Sequence, residues 1–294
     1  MKPDKNVCWG KFGMAGILFG PAGIPAGTPG ERNTPSGIAY CRKIGLGAME
    51  VEFVHGVKMG EPAAKEAYRA GEESMVQLSC HAPYYINCCA KEEAKIEGSV
   101  RQIVACAQAA FWLGASPVVF HPGYYMGRSP AECKKMVEKT ITSCLEEIDV
   151  RKIRGVVLGA ELTGKKSAYG SLEEIIALSE CFGLKKVMPV VDYAHYHARE
   201  ARLVKKEDYA RILELVEKRL GSEATHNFHC HFSGIEIIPA GEKNHLPVSS
   251  NSPPFAPLAE VWVENGWGGR VICESPLLEK DALRLQEIYR QEAK

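Results

Sequence analysis

GVVLGAELTGKKSAYGSLEEIIALSECFGLKKVMPVV, residues 155–191, reads as a complete strand–helix–strand unit. Its opening run, Gly155–Ala160, is short and apolar, the composition of a strand buried in a parallel sheet. Ser171 with Glu174 three residues on makes a capping box ahead of Ile175, Ile176 and Leu178, so a helix starts there. Gly183 stands where that helix would take its C-cap, and Lys186–Val191 is the next apolar run.

The same alternation extends in both directions. Strand candidates are Ala15–Gly20, Ala48–Val54, Met75–Cys80, Pro117–Phe120, Gly155–Ala160, Lys186–Val191, Thr225–Cys230 and Arg270–Cys273, with helical periodicity between them. Ser129-Pro130 opens the helix that runs to about Ile148. Eight βα units in 294 residues predict an α/β chain folded as a single (β/α)8 TIM barrel spanning residues 1–294. No linker or charge run divides it. Gly20–Pro35 and Ile237–Pro257 read as long loops on the C-terminal face, where barrel active sites lie.

Lys and Arg total 36, as do Asp and Glu, so the formal net charge is zero and no global field attracts a polyanion. Binding to nucleic acid has to be argued locally. The 11 cysteines are scattered, two of them adjacent as Cys88 and Cys89, and they read as reduced thiols of a cytoplasmic protein. The apolar stretch Met14–Phe19 is far below the roughly 20 residues of a membrane helix and no basic region with a cleavage site accompanies it, so a protein that neither spans a membrane nor is exported is expected.

What each strand ends with carries the chemistry. Strand three ends in His81, four in His121, five in Glu161, six in Asp192, seven in His229 or His231, and eight in Glu274. His195 follows Asp192 by three residues, and His245 lies on the loop after strand seven. Any one of these, alone, is more often a hydrogen-bonded structural residue than a ligand. Six consecutive strand ends are different, because carboxylates and imidazoles crowded into one mouth must repel or shift their pKa values unless cations neutralise them. Mixed imidazole and carboxylate donors favour zinc, with manganese or iron as substitutes, over an all-oxygen magnesium or calcium site. Cys80, Cys230 and Cys273 each neighbour a proposed ligand, and strand alternation turns them outward against the helices. His55, His197 and His226 stay open. Tyr124 and Tyr125 add aromatic surface beside His121, and Lys165, Lys166 and Arg199 are candidate phosphate contacts set against the reading of a solvated charged face.

At these residues the chain resembles the endonuclease IV family of apurinic/apyrimidinic endonucleases, within the xylose-isomerase-like barrels. The matching stretches are HAPYYIN (His81–Asn87), FHPG (Phe120–Gly123), AELTG around Glu161, VVDYAH (Val190–His195), HFSG (His231–Gly234) and ICESP (Ile272–Pro276), and they cover nearly the whole chain. FGPAGIP (Phe19–Pro25) and GEKNHLP (Gly241–Pro247) are similar to an archaeal-type branch. The resemblance implies that His81, His121 and Glu161 hold one metal, with Glu161 bridging and catalytic. Asp192, His231 and Glu274 would complete a second, and His195 and His245 a third. The family pattern has an aspartate two residues before that last histidine, where this chain has Lys243 between Glu242 and Asn244. Either Glu242 supplies the carboxylate, or the third site is weak or empty and two zinc ions remain.

The activity implied is hydrolysis of the phosphodiester 5′ to an abasic site in damaged double-stranded DNA, as in base excision repair, by a monomer. Tyr84, Asn87 and Lys58 would contact substrate. Known members carry Asn, Gln and Arg after strand two to penetrate DNA, whereas FVHGVKMG (residues 53–60) offers Lys58 as its positive charge. The alternative is a sugar or hydroxy-acid isomerase or epimerase of the same barrel group, which would need four metal ligands rather than the full histidine set. A non-catalytic barrel that binds a nucleic acid or partner is a third reading, and the retained ligands argue against it.

Overall fold

The computed structural model describes residues 16–200 and 202–294, so Met14 and Ala15 of the first apolar run lie outside the described residues. Eight parallel strands form the barrel: β1 (Ile17–Pro21), β2 (Ala48–Glu52), β3 (Gln77–His81), β4 (Val118–Phe120), β5 (Leu158–Glu161), β6 (Val187–Asp192), β7 (Phe228–Phe232) and β10 (Gly269–Cys273). Their order is β1-β10-β7-β6-β5-β4-β3-β2, all neighbours parallel. The ring is nearly closed between β1 and β2, where Gly47 N–H donates to Phe19 O at 3.1 Å and Gly23 N–H to Glu50 O at 2.9 Å. Gly20 permits that approach, since a Cβ on it would sit 2.0 Å from the Ala48 carbonyl oxygen.

The expected helices both form: Leu172–Phe182 begins with the capping box read from Ser171 and Glu174, and Pro130–Val150 begins at the Ser129-Pro130 signal, where Ser129 and Glu132 make a second capping box. Gly183 takes the C-cap at φ 80°. Several strand boundaries move. Met75 is the left-handed cap of α2 (Glu61–Ser74) at φ 53°, so β3 starts at Gln77 rather than Met75. Thr225 belongs to a helical turn, Glu223–His226, which delays β7 to Phe228 and places both His229 and His231 inside it.

The stretch after β7 corrects the sequence reading. Ile237–Pro257 is not simply a loop: it shares an antiparallel hairpin, β8 (Gly234–Ile238) with β9 (Gly241–Leu246), and continues into a 3-10 turn at Val248–Ser250. The hairpin leans on the loop after β5, with Glu242 N–H donating to Gly164 O at 3.1 Å.

Cys80, Cys230 and Cys273 are buried, and burial raises each thiol well above its usual range, so none is poised as a thiolate ligand. All ten cysteines among the described residues are free. No helix among the described residues is long and apolar enough to cross a membrane.

Candidate metal centre

Because barrel strands end at one mouth, the last inward residue of each comes to the same place. Glu161 at the end of β5 is fully buried and lies at the middle. Its Oε2 is 2.9 Å from His81 Nε2 and 2.8 Å from His121 Nε2; its Oε1 is 3.2 Å from His231 Nδ1 and 3.4 Å from His195 Nδ1. Four groups each bring one donor atom per residue within 4.8 Å of the others: His81/His121/Glu161, Glu161/Asp192/His231/Glu274 and Asp192/His195/His245/Glu274, which overlap at the mouth, and Glu50/His229/His231, which joins them through His231. Every metal ligand proposed from the sequence is in one of them.

The imidazoles are aimed as well as gathered. His195 Nδ1 sits 2.9 Å from Leu162 O, so it donates there and leaves Nε2 for the centre. His81 Nδ1 does the same to Ala82 O at 2.7 Å. Ser233 spends its hydroxyl proton on Gly234 O at 2.8 Å, so the 2.6 Å contact with His245 is a donation from His245 Nδ1, which frees His245 Nε2. Nothing in the sequence reading singled out Ser233, although it stands within HFSG.

Electrostatics carry the same message. Burial alone would lower the His81 imidazole, yet its hydrogen bond to Glu161 and the carboxylates of Glu52, Glu161 and Glu50 lift it to about 10. Glu161 moves well below the usual carboxylate range, its burial outweighed by His121 and His231. Glu274 moves the other way, raised by burial and by Glu161 and Asp192. Protons are thus neutralising this mouth, which is the service divalent cations provide. Asp192 Oδ2, Glu52 Oε1 and Glu242 Oε2 are buried with no aligned hydrogen-bond donor, and oxygens left so are what a cation would satisfy. The donor set, imidazole and carboxylate, fits zinc, manganese or iron.

At the departure from the family pattern, Glu242 rather than Lys243 faces the mouth. In the β8–β9 ladder Glu236 pairs with Asn244 but Ile237 with Glu242, so Lys243 is the extra residue of a β-bulge. The bulge turns Lys243 outward to Glu236, 2.8 Å away, and turns Glu242 inward, 2.7 Å from His195 Nε2. Gly164 makes the room, because a Cβ on it would lie 2.1 Å from Glu242 Oε2.

Other expected site residues divide. Tyr84 is half exposed at the rim, its ring 5.2 Å from that of His81 and 5.7 Å from that of His121. Lys58 is exposed and outside the cluster. Asn87 is a loop brace, its Oδ1 accepting from the backbone of Cys89 at 3.0 Å and of Tyr124 at 3.2 Å. Arg199 is a correction: it faces inward and donates to Thr163 O, Lys165 O and Ala168 O, so the guanidinium holds the loop after β5 rather than waiting for a phosphate. His197 accepts from Leu203 N–H, His226 bonds Ser222 O and His55 is exposed, so none joins the cluster.

Sequence reasoning missed the glutamates of β2. Glu50 lies between His229 and His231, and Glu52 is raised to about 7 by burial, with Glu50 and Glu161 adding to the rise. Their spacing of two in MEVE was the available signal, since alternation sends both inward.

The family described as "Xylose isomerase-like TIM barrel" matches residues 38–293. An uncharacterized protein of Methanocaldococcus jannaschii is 37% identical over 276 residues, covering 94% of this chain and 97% of its own. Among solved structures, a D-tagatose 3-epimerase-like protein superposes with TM-score 0.69 at 18% identity, covering 94% of this chain and 96% of that one. Endonuclease IV from Thermus thermophilus gives 0.67 at 18%, with 92% and 98% covered, and a 3-keto-D-glucoside 4-epimerase from E. coli gives 0.65 at 18%, with 92% and 98%. Likeness at that identity is a likeness of fold.

Proposed function

Because this chain belongs to the family of xylose isomerase-like TIM barrels and its mouth holds metal-ligating clusters, we propose that it is a metal-dependent hydrolase that cleaves the phosphodiester 5′ to abasic sites in DNA. The observation that carries this reading is the number of aimed donors. Glu161, Asp192, His231 and Glu274 would suffice for one metal, yet His81, His121, His195, His245 and Glu242 converge on the same space. A surplus of that size suits a multinuclear site. When bound, divalent ions held by these residues would activate water and offset charge at the attacked phosphate and the departing oxygen.

The chain's own residues supply placement. Glu161 touches four imidazoles and so keeps the separate groups in one frame. Leu162 O, Ala82 O and Ser233 hold three rings with their second nitrogens inward. Tyr84, beside His81 and His121 and half exposed, is placed to stack on a sugar or base.

A second reading, a sugar epimerase or isomerase, draws support from the four-residue group Glu161/Asp192/His231/Glu274 and from the inward turn of Arg199, which removes a cation from the mouth. One experiment separates them: metal-replete protein with a labelled duplex holding a single abasic-site analogue, with and without chelator, beside a ketose assay. Chelator-sensitive cutting that leaves a 3′-hydroxyl is expected. An uncut duplex together with sugar interconversion would replace the hydrolase reading with the epimerase one.

A further inference from the structure

One buried carboxylate touches the centre without facing it. Glu50 on β2 and His229 and His231 on β7 meet across the barrel interior, and all three side chains are fully buried. Glu50 Oε2 accepts from His229 Nε2 at 3.0 Å. Glu50 Oε1 lies 3.0 Å from His231 Nε2, an ion-pair contact rather than an aligned hydrogen bond, and neither of those two atoms has a hydrogen-bond partner. The opposite nitrogen, His231 Nδ1, points at the centre, 3.2 Å from Glu161 Oε1 and 3.3 Å from Glu274 Oε1.

A neutral imidazole has one N–H and one lone pair, so whichever nitrogen holds the proton decides which can bind a metal. We infer that Glu50 is a positioning residue: it holds the His231 proton on Nε2 by facing that N–H, and thereby leaves the Nδ1 lone pair for the metal that Glu161, Asp192 and Glu274 would share. The inference rests on the reading of this mouth as a metal centre. His229 is the second strut, holding the other Glu50 oxygen so that the carboxylate cannot rotate away. Burying the charge is costly unless it is compensated, and the two imidazoles together with the charge of Arg270 below supply the compensation. Arg270 is itself anchored by Leu78 O at 3.0 Å and by Ser116 O. His229 Nε2 faces the carboxylate at 3.0 Å, and that contact fixes the orientation of Glu50. A purely structural salt link would need none of this aim. Its partners would not include a ring whose far nitrogen sits among three carboxylate ligands.

The probe is Co²⁺ alone, titrated into the full chain and followed by its visible spectrum, with imidazole ¹H–¹⁵N spectra of the loaded wild type. The His231 signal is identified by its loss in His231→Asn. Expected are an Nε2–H tautomer for His231 in the wild type, and in Glu50→Gln a 10- to 100-fold weaker affinity at one site while the His81/His121/Glu161 site binds as before. His229→Gln, which leaves Glu50 facing His231, should weaken the same site by less. Wild type that shows Nδ1–H on His231, or Glu50→Gln that binds every equivalent as tightly as wild type, overturns the inference while the metal reading stands. Loss of a whole equivalent bound directly by Glu50, His229 and His231 also overturns it, since the trio would then be a metal site itself. Wild type that takes up no Co²⁺ defeats the metal reading, and the inference falls with it. Should Glu50→Gln fail to fold, the wild-type tautomer and the His229 variant still decide the matter.

Discussion

Glu242 Oε2 stands 2.7 Å from His195 Nε2, although the alternation of β9 counted back from His245 would put Lys243 there. The β-bulge exchanges the two, and with them the sign of the charge delivered to the mouth.

Glu242→Ala should therefore lower bound zinc by about one equivalent, whereas Lys243→Ala, whose side chain is half exposed beside Glu236, should leave metal content unchanged. Elemental analysis of metal-replete protein reads both. Equal content in wild type and Glu242→Ala would remove Glu242 from the ligand set.

Glu161→Gln should reduce turnover by more than about 100-fold, beyond the 10- to 100-fold typical of residues that only support a ligand. Near-native circular dichroism is expected. Normal turnover in that variant would show that Glu161 is dispensable.

Metal uptake should release protons. In the metal-free centre His81 holds its proton up to about 10, because Glu161 and its neighbours outweigh burial, and a metal on Nε2 must displace that proton. Affinity then rises with pH from 7 towards 10 and levels off above it. Zinc titration calorimetry at pH 7 in buffers of different ionisation enthalpy checks this, and an apparent enthalpy independent of buffer would contradict it.

Arg199→Lys should destabilise the metal-free protein by about 2–4 kcal/mol, since one ammonium cannot at once replace Nη1, which faces the carbonyls of Thr163, Lys165 and Ala168, and Nη2 and Nε, which reach Tyr125 and Glu200. Urea unfolding measures the loss. The same variant should bind duplex DNA with an unaltered salt slope, because this guanidinium faces the protein.

Duplex binding should itself depend gently on salt. Lys58 and Lys166, on the loops after β2 and β5, are exposed, Lys165 is half-buried and Arg199 is turned in, so two or three phosphates would be neutralised. That corresponds to a slope of about −2 to −3 and a loss of roughly 10- to 60-fold between 50 and 200 mM salt. A slope of −6 or steeper would contradict this.

Much of this was legible in the chain itself. Strand and helix periodicity, the serines at 129 and 171 and the run of His, Glu and Asp at strand ends are local patterns, and each reports the burial or capping of its own segment. Because a barrel sends all parallel strand ends to one face, knowing the strands was enough to gather His81, His121, Glu161, Asp192 and Glu274 with either His229 or His231, and the family resemblance chose His231. What needed the tertiary structure were relations between distant segments. Glu50 meets His229 across 179 residues, and no periodicity within β2 says what lies on the far side of the barrel. The inward turn of Glu242 depends on one bulged residue and on the space beside Gly164, the proton on His245 on where Ser233 sends its own, and the direction of Arg199 on three carbonyls of a loop some 30 residues away. A sequence pattern sets which face a side chain takes; the partner it finds there is set by packing.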